Sequence, residues 1–377
     1  MSHLSSHTTA PVLILGAGLM GRLLAVSLAR AGHPVRIVDA GPPDGSGAAA
    51  HVAAAMLAPL AESAVTEPNV VMMGQYAVPR WQQIIATLDQ PVFFQQAGTL
   101  ILWHRQDAPQ AQRFRALLAA TGQAVPSLPT PQVLDSRTLA EREPAVAERF
   151  HQGLYLPDEG QLDNRQVLNA LLATLANLGV QVEWNSPWTL AQAQTHQQQH
   201  GGWVLDCRGL GAKTEWRDRD TSLRGVRGEV LRLHAPDVTL QRPTRLLHPR
   251  YPIYIAPKEN HIFMIGATEI ETDDLSPVSV RSAMELLSAA YTVHPGFGEA
   301  RILELCAQCR PTLPDNLPAV HEVAPQVLQI NGLYRHGFMI SPALHDAVLE
   351  HLQHGQQTLA HQLNLRFDTL GAEATVS

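Results

Sequence analysis

The chain has 377 residues, 45% hydrophobic and 16% charged, a balance that supports two domains or one large one and excludes disordered and fibrous classes. Its formal net charge is −7 at pH 7 and neither Lys nor Arg forms a run, so a nucleic-acid groove or an anionic membrane surface has no electrostatic support. The first ten residues, MSHLSSHTTA, lack a basic segment and an apolar core, and no apolar run reaches about 18 residues, which predicts a cytoplasmic protein without a membrane span.

In chain order, Val12 to Leu15 read as a buried strand, and LILGAGLMGRLL follows with Gly16, Gly18 and Gly21 at GxGxxG spacing. Arg22 to Ala31 read as a helix ended by Gly32. The first glycine suits the turn, the second lets backbone approach a pyrophosphate, and the third lets helix and strand pack closely. A second strand, Val35 to Val38, ends in Asp39, placed as a dinucleotide's ribose ligand is placed. The Gly/Pro/Ala-rich stretch GPPDGSGAAAHVAAAMLAPLAE then allows backbone to lie close to a ligand, and a helix resumes near Asn69. Residues 91–104 read as strand and loop of a different unit, and residues 141–144 close a helical stretch.

An amphipathic helix follows from Asp163 or Asn164 to Gly179, with a strand behind it. The Gln- and His-rich residues 189–202 read as a hairpin loop, with His196 and His200 at a solvated tip rather than on a metal. GWVLDCRGLGAK gives a strand ending in another glycine turn, at Gly209 and Gly211. Antiparallel strands are expected in GVRGEVLRL, PIYIAP and HIFMIGATEIE, with a helix over VRSAMELLSAAYTV. Cys207, Cys306 and Cys309 are too few for a disulfide framework, and the CxxC at 306–309 reads as two packed thiols. The chain closes with strand VLQIN, turn GLYRHGF and a helix from about Ser341 to His354.

Six strings taken in order, LILGAGLMG, AAAMLAPLAE, DCRGLGA, YIAPKENHIFMIGATEIE, CRPTLPDNLPAV and GLYRHGFMISPA, resemble the flavin-dependent D-amino-acid oxidase superfamily, and especially the glycine oxidases of bacterial thiamine synthesis. The resemblance implies FAD as cofactor and a DAO-like α/β architecture. This is a Rossmann-type FAD-binding domain from residues 11–85, 155–220 and 320–361, with tails at 1–10 and 362–377. A second, α+β substrate domain from 86–154 and 221–319 carries a mixed, largely antiparallel sheet. Cofactor contacts are expected from Gly16, Gly18, Leu19, Met20, Gly21, Asp39, Ala40, Ala54, Ala55, Met56, Gly209, Gly211, Arg335, His336, Gly337, Phe338, Met339 and Ile340. Within this set the turn over residues 337–342 is expected beside the flavin's N1–C2=O edge, where helix-end N–H groups favour negative charge.

The resemblance also places Arg310 as the bidentate ligand of a substrate carboxylate and Tyr254 as a hydroxyl donor to the same group. Arg335 falls near flavin and substrate, and Met56 on an apolar wall. The implied reaction is oxidative deamination of glycine, sarcosine or a D-amino acid, with electrons leaving to oxygen or another acceptor. A dehydrogenase feeding a quinone or partner protein, and a non-catalytic FAD subunit of a complex, are the alternatives. A homo-oligomer is compatible, and no metal is expected. Two positions depart from the glycine-oxidase pattern: Pro252 replaces a polar residue, and Glu269 replaces an apolar one. Glu269 is open to two readings, a ligand for a substrate amine or basic side chain that shifts specificity from glycine, or the start of an exposed acidic loop with Glu271, Asp273 and Asp274.

Overall fold

The computed structural model describes residues 10–216, 222–250 and 252–370. Two large sheets and one small one organise the described residues. The first has seven strands in the order Arg366–Asp368, Ala319–Ala324, Val327–Asn331, Trp203–Asp206, Val12–Leu15, Val35–Val38 and Gln181–Glu183. From Val327–Asn331 onward the pairings are parallel, with Val12 beside Trp203 on one flank and Val35 on the other. Parallel strands need both faces covered, and the alternation delivers this. Val12 and Ile14 face a core shared with helices Leu19–Arg30, Asn164–Asn177 and Gly337–His354. Leu13 and Leu15 face Leu190 and Ala193 of the helix Leu190–His200.

The second sheet has eight strands, ordered Arg301–Thr312, Arg224–His234, Ile262–Gly266, Ile253–Pro257, Thr244–Leu247, Thr99–Trp103, Gly153–Leu156 and Gln132–Leu134. Every pairing is antiparallel except that of Thr244–Leu247 with Thr99–Trp103. It is the mixed, largely antiparallel sheet expected. The helix Val280–Val293 covers one face through Leu286, Ala289, Ala290 and Val293. Met56–Leu57, Gly160–Leu162 and Phe94–Gln95 form the small sheet.

Several expectations are corrected. Residues 189–202 are no hairpin loop: Thr189 caps a helix, its hydroxyl accepting from the Gln192 N–H while the Gln192 side chain returns to the Thr189 N–H, and Gly201 ends it. The last helix begins at Gly337, not Ser341, although Pro342 lies inside it. Proline cannot donate to the carbonyl four residues back, and the indole of Trp81 donates to that carbonyl, Phe338 O, at 2.7 Å. Residues 366–368, expected in a tail, form an edge strand of the seven-stranded sheet. The strand predicted through GATEIE ends at Gly266. The helix Ala108–Ala124 was not foreseen; its mixed polar composition buries only Ala111 and Leu118. Cys306 and Cys309 sit on a strand, three residues apart and so on opposite faces, and burial raises both thiols.

Candidate active site

One cavity of about 1270 Å³ runs from the C-terminal ends of the parallel strands to the eight-stranded sheet. Crevices at the carboxyl ends of parallel strands are where open α/β sheets bind ligands. The volume exceeds that of an ordinary small-ligand pocket, which suits an elongated occupant.

The glycine loop forms the end nearest Asp39. Gly16 holds φ +95°, and a Cβ there would stand 2.7 Å from Cys207 O. Gly21 packs its Cα against the loop, where a Cβ would fall 1.9 Å from Gly16 O. Gly18 differs: nothing lies within 4 Å of its Cβ position, and it lines the cavity. The helix Leu19–Arg30 starts there without a side-chain cap or an acidic residue in its first turn, which leaves N–H groups available to an anion. Asp39 at the next strand end accepts from Ala17 N–H at 2.5 Å and Gly41 N–H at 2.7 Å. Arg22 lies buried under the loop, donating to Ala17 O and Leu168 O, and burial lowers its guanidinium to about 10.

The middle wall is backbone. Ala54, Ala55 and Met56 line it, with Ala55 in the left-handed region at φ +52°. A non-glycine residue there persists only when its surroundings hold it. Asn164 takes the carbonyls of Ala50 and His51, Leu162 N–H takes Ala55 O, and Lys258 Nζ donates to Ala54 O, Leu162 O and Gln161 Oε1 at 2.8–3.0 Å. Burial lowers the Lys258 ammonium to about 7. Opposite lie Ala40, Gly209 and Gly211, and the start of the helix Gly337–His354, which also lacks a side-chain cap.

The far end is charged. Tyr254 O–H faces the Cβ position of Gly266, and the Arg310 guanidinium lies across Gly228, where a Cβ would be 2.3 Å from Nη2. Arg310 donates to Thr268 O at 3.2 Å and, more weakly, to Val226 O at 3.5 Å. Beside it, Glu62 is 8% exposed and takes Arg245, Arg335 at 2.9 Å and His336 at 3.5 Å. Burial drives the Glu62 carboxyl up, but Arg335 and Arg245 outweigh it and hold it well below the usual carboxylate range. Burial lowers the His336 imidazole to about 4 against the pull of Glu62. Arg335 also reaches Glu269 Oε2 at 3.1 Å, and Tyr334 O–H donates to Glu269 Oε1 at 2.6 Å. Burial, reinforced by Glu269, pushes the Tyr334 phenol up to about 12. Burial raises the Tyr254 phenol too, opposed by Arg310, Arg245 and Arg335.

Arg310, Tyr254, Arg335, Met56 and Glu269 thus share one cavity with the expected cofactor residues Gly16, Gly18, Leu19, Met20, Asp39, Ala40, Ala54, Ala55, Gly209, Gly211, His336, Gly337, Phe338 and Met339. Two expected contacts do not line it. Ile340 is fully buried in the core, pointing away as the helix turns, and Gly21 serves the strand–helix contact instead. Glu269 stands on a loop with its side chain half exposed, as one of its two readings has it, and Arg335 and Tyr334 hold its carboxylate. Sequence reading missed Glu62, Arg245, Tyr334 and Lys258, and also Glu159, whose carboxyl burial pushes up to about 7 while it accepts Ala61 N–H at 2.6 Å. Glu62, Lys258 and Tyr334 lie inside quoted strings; Arg245 meets Glu62 across 183 residues with no local signal.

The long cavity, the uncapped helix start at a wall glycine and the backbone-lined middle fit an FAD. The chain matches the FAD dependent oxidoreductase family, DAO, over residues 11–348. A protein of Rhizobium etli assigned as the thiamine biosynthesis oxidoreductase ThiO is 38% identical over 341 residues, 90% of this chain and 96% of that one. Among solved structures, glycine oxidase from Bacillus cereus superposes with a TM-score of 0.77 at 19% identity, covering 98% of this chain and all of that one. Iminodiacetate oxidase from Chelativorans superposes with a TM-score of 0.75 at 18% identity, covering 95% and 99%. No helix among the described residues is long and apolar enough to cross a membrane. The chain belongs to the DAO family of FAD-dependent oxidoreductases, and its cofactor is FAD.

Proposed function

We propose that this enzyme oxidatively deaminates a small amino acid or secondary amine, such as glycine, sarcosine or a D-amino acid, through Arg310, Tyr254 and the charged cluster around them. One observation carries the reading. Of the three guanidinium groups whose charge reaches the Tyr254 hydroxyl, Arg245 and Arg335 are paired with carboxylates and Arg310 has only backbone carbonyls, among the described residues. A cation left unbalanced in a partly dry cavity favours an anionic ligand. A planar fork suits a carboxylate, and the Tyr254 hydroxyl adds a second donor.

When bound, FAD accepts the hydride leaving the substrate α-carbon. The chain's own task is to fix that carbon and exclude water around it. Arg310 and Tyr254 anchor the carboxylate, Gly228 and Gly266 supply the space those side chains occupy, and Ala54 to Met56 form an apolar wall. An amine entering neutral needs no protein base. The imino acid then takes up water to give an oxo acid and, from a primary amine, ammonia or, from a secondary one, the corresponding primary amine.

Anaerobic mixing with glycine, sarcosine, D-alanine and D-proline, followed by flavin absorbance, tests this reading. Bleaching by an amine is expected. In Arg310→Met, half-saturation is expected to rise by about two orders of magnitude, as when one partner of a buried charge pair is removed, with FAD content unchanged. Unchanged bleaching in Arg310→Met overturns the site assignment. Reoxidation in air against an artificial acceptor decides whether oxygen takes the electrons.

A further inference from the structure

The Glu269 carboxylate is held at two points, one oxygen by Tyr334 O–H at 2.6 Å and the other by Arg335 Nη1 at 3.1 Å. A hydroxyl and a guanidinium N–H converging on the two oxygens of one carboxylate make a carboxylate site, here filled by the chain itself. The other nitrogen of Arg335, Nη2, faces Glu62, which is shared with Arg245. Of the three guanidinium groups, Arg245 and Arg335 are ion-paired with carboxylates, and Arg310 has only backbone carbonyls among the described residues.

We propose that Glu269 is a specificity-determining residue that occupies a second carboxylate subsite of the substrate pocket, so that the enzyme accepts amines carrying one carboxylate and rejects those carrying two. This inference rests on the proposed function. Tyr334, Arg335, Glu269 and Arg310 line the same cavity, and Arg310 donates to the carbonyl of Thr268, the residue before Glu269. Glu269 therefore stands within reach of the second substituent of a substrate anchored on Arg310. A carboxylate on that substituent meets like charge and finds both donors taken, which is discrimination by repulsion as well as by lack of attraction. Withdrawal of Glu269 leaves Glu62 alone opposite Arg245 and Arg335, with Nη1 of Arg335 and the Tyr334 hydroxyl unpaired. The pocket then carries charge and donors for a dianion.

Sarcosine and iminodiacetate share one secondary-amine glycine unit and differ by a carboxylate; D-alanine and D-glutamate repeat the comparison with a longer reach. The experiment measures anaerobic flavin reduction by each pair in wild type, Glu269→Ala and Glu269→Gln. The ratio of dicarboxylate to monocarboxylate efficiency is expected to rise about tenfold or more for at least one pair in Glu269→Ala. A smaller rise is expected in Glu269→Gln, which loses the charge but still fills the space. In Glu269→Ala with Tyr334→Phe, part of the gain is expected to disappear, an effect that mere loosening of the loop does not produce. Ratios unchanged in both single variants, with wild type oxidising sarcosine, overturn the inference and leave the proposed function standing. If wild type oxidises no amine, the proposed function fails. Binding of oxydiacetate against methoxyacetate, read as perturbation of the flavin spectrum, then decides the inference alone: tighter oxydiacetate binding in Glu269→Ala supports it and equal binding overturns it.

Discussion

Glu62 neutralises two guanidinium groups from residues 183 and 273 positions away in the chain. Its loss leaves Arg245 and Arg335 without their shared counter-charge, and Glu62→Gln is expected to cost about 3–5 kcal/mol, as for other broken buried pairs. The pH dependence has a definite sign. A carboxylate held below its unfolded value of about 4.3 contributes fully above that pH and loses its contribution as the pH falls further. His336 acts in the same direction: the folded imidazole is lowered to about 4, the unfolded one protonates near about 6.5, and stability therefore rises with pH between them. Thermal melts from pH 7 to pH 3 are expected to show wild type falling throughout, with its margin over Glu62→Gln shrinking below about pH 4.5. A margin constant with pH excludes the clamped carboxylate. At this scale the sequence singles out Arg310 and Tyr254 because their neighbours form recognisable strings, and both line the one cavity. The roles of Arg245 and Lys258 are invisible in it, because their partners, Glu62 for one and Ala54, Gln161 and Leu162 for the other, lie about 100 residues or more away in the chain.

The three glycines of the first loop have separable roles. Gly21→Ala drives a Cβ into Gly16 O and is expected to lose folded protein and FAD together. Gly18→Ala meets no protein atom within 4 Å and is expected to fold, with the melting temperature of the wild-type apoprotein, while binding FAD more weakly. Calorimetry of the two apoproteins and an FAD titration separate these outcomes. The helix Gly337–His354 keeps its first turns because Trp81 replaces the N–H that Pro342 lacks. Trp81→Phe is expected to leave Phe338 O unpaired and to cost about 1–3 kcal/mol in denaturant unfolding. Elements with strong local signals were legible: the strand–loop–helix at the start, the helix capped by Asp163 and the antiparallel strands. The helix Leu190–His200 was hidden by a polar, low-complexity composition, and only its Thr189 capping box and terminal Gly201 identify it. The early start of the last helix was hidden because the group that rescues Pro342 belongs to a helix some 260 residues earlier, at a sequence separation of 257.

Across the whole molecule, the cavity joins the seven-stranded sheet to the eight-stranded one, so a cofactor filling it would touch both. FAD binding is expected to stabilise the protein by about 4 kcal/mol when free FAD is a thousand times its dissociation constant. Hydrogen exchange is expected to show protection gained on binding in residues 39–56 and 332–337 together, since both line the cavity. Protection in only one of the two segments contradicts a shared ligand.

The strand order of the seven-stranded sheet has a consequence for biosynthesis. Its central strand, Trp203–Asp206, lies between Val12–Leu15 and Val327–Asn331 and so needs both. A nascent chain therefore carries its phosphate loop for most of translation beside a sheet that is still short of neighbours, and the cavity has no floor until residues 327–354 have left the ribosome. FAD loading is therefore expected at the close of synthesis, not during it, because residues between 330 and 339 line the cavity.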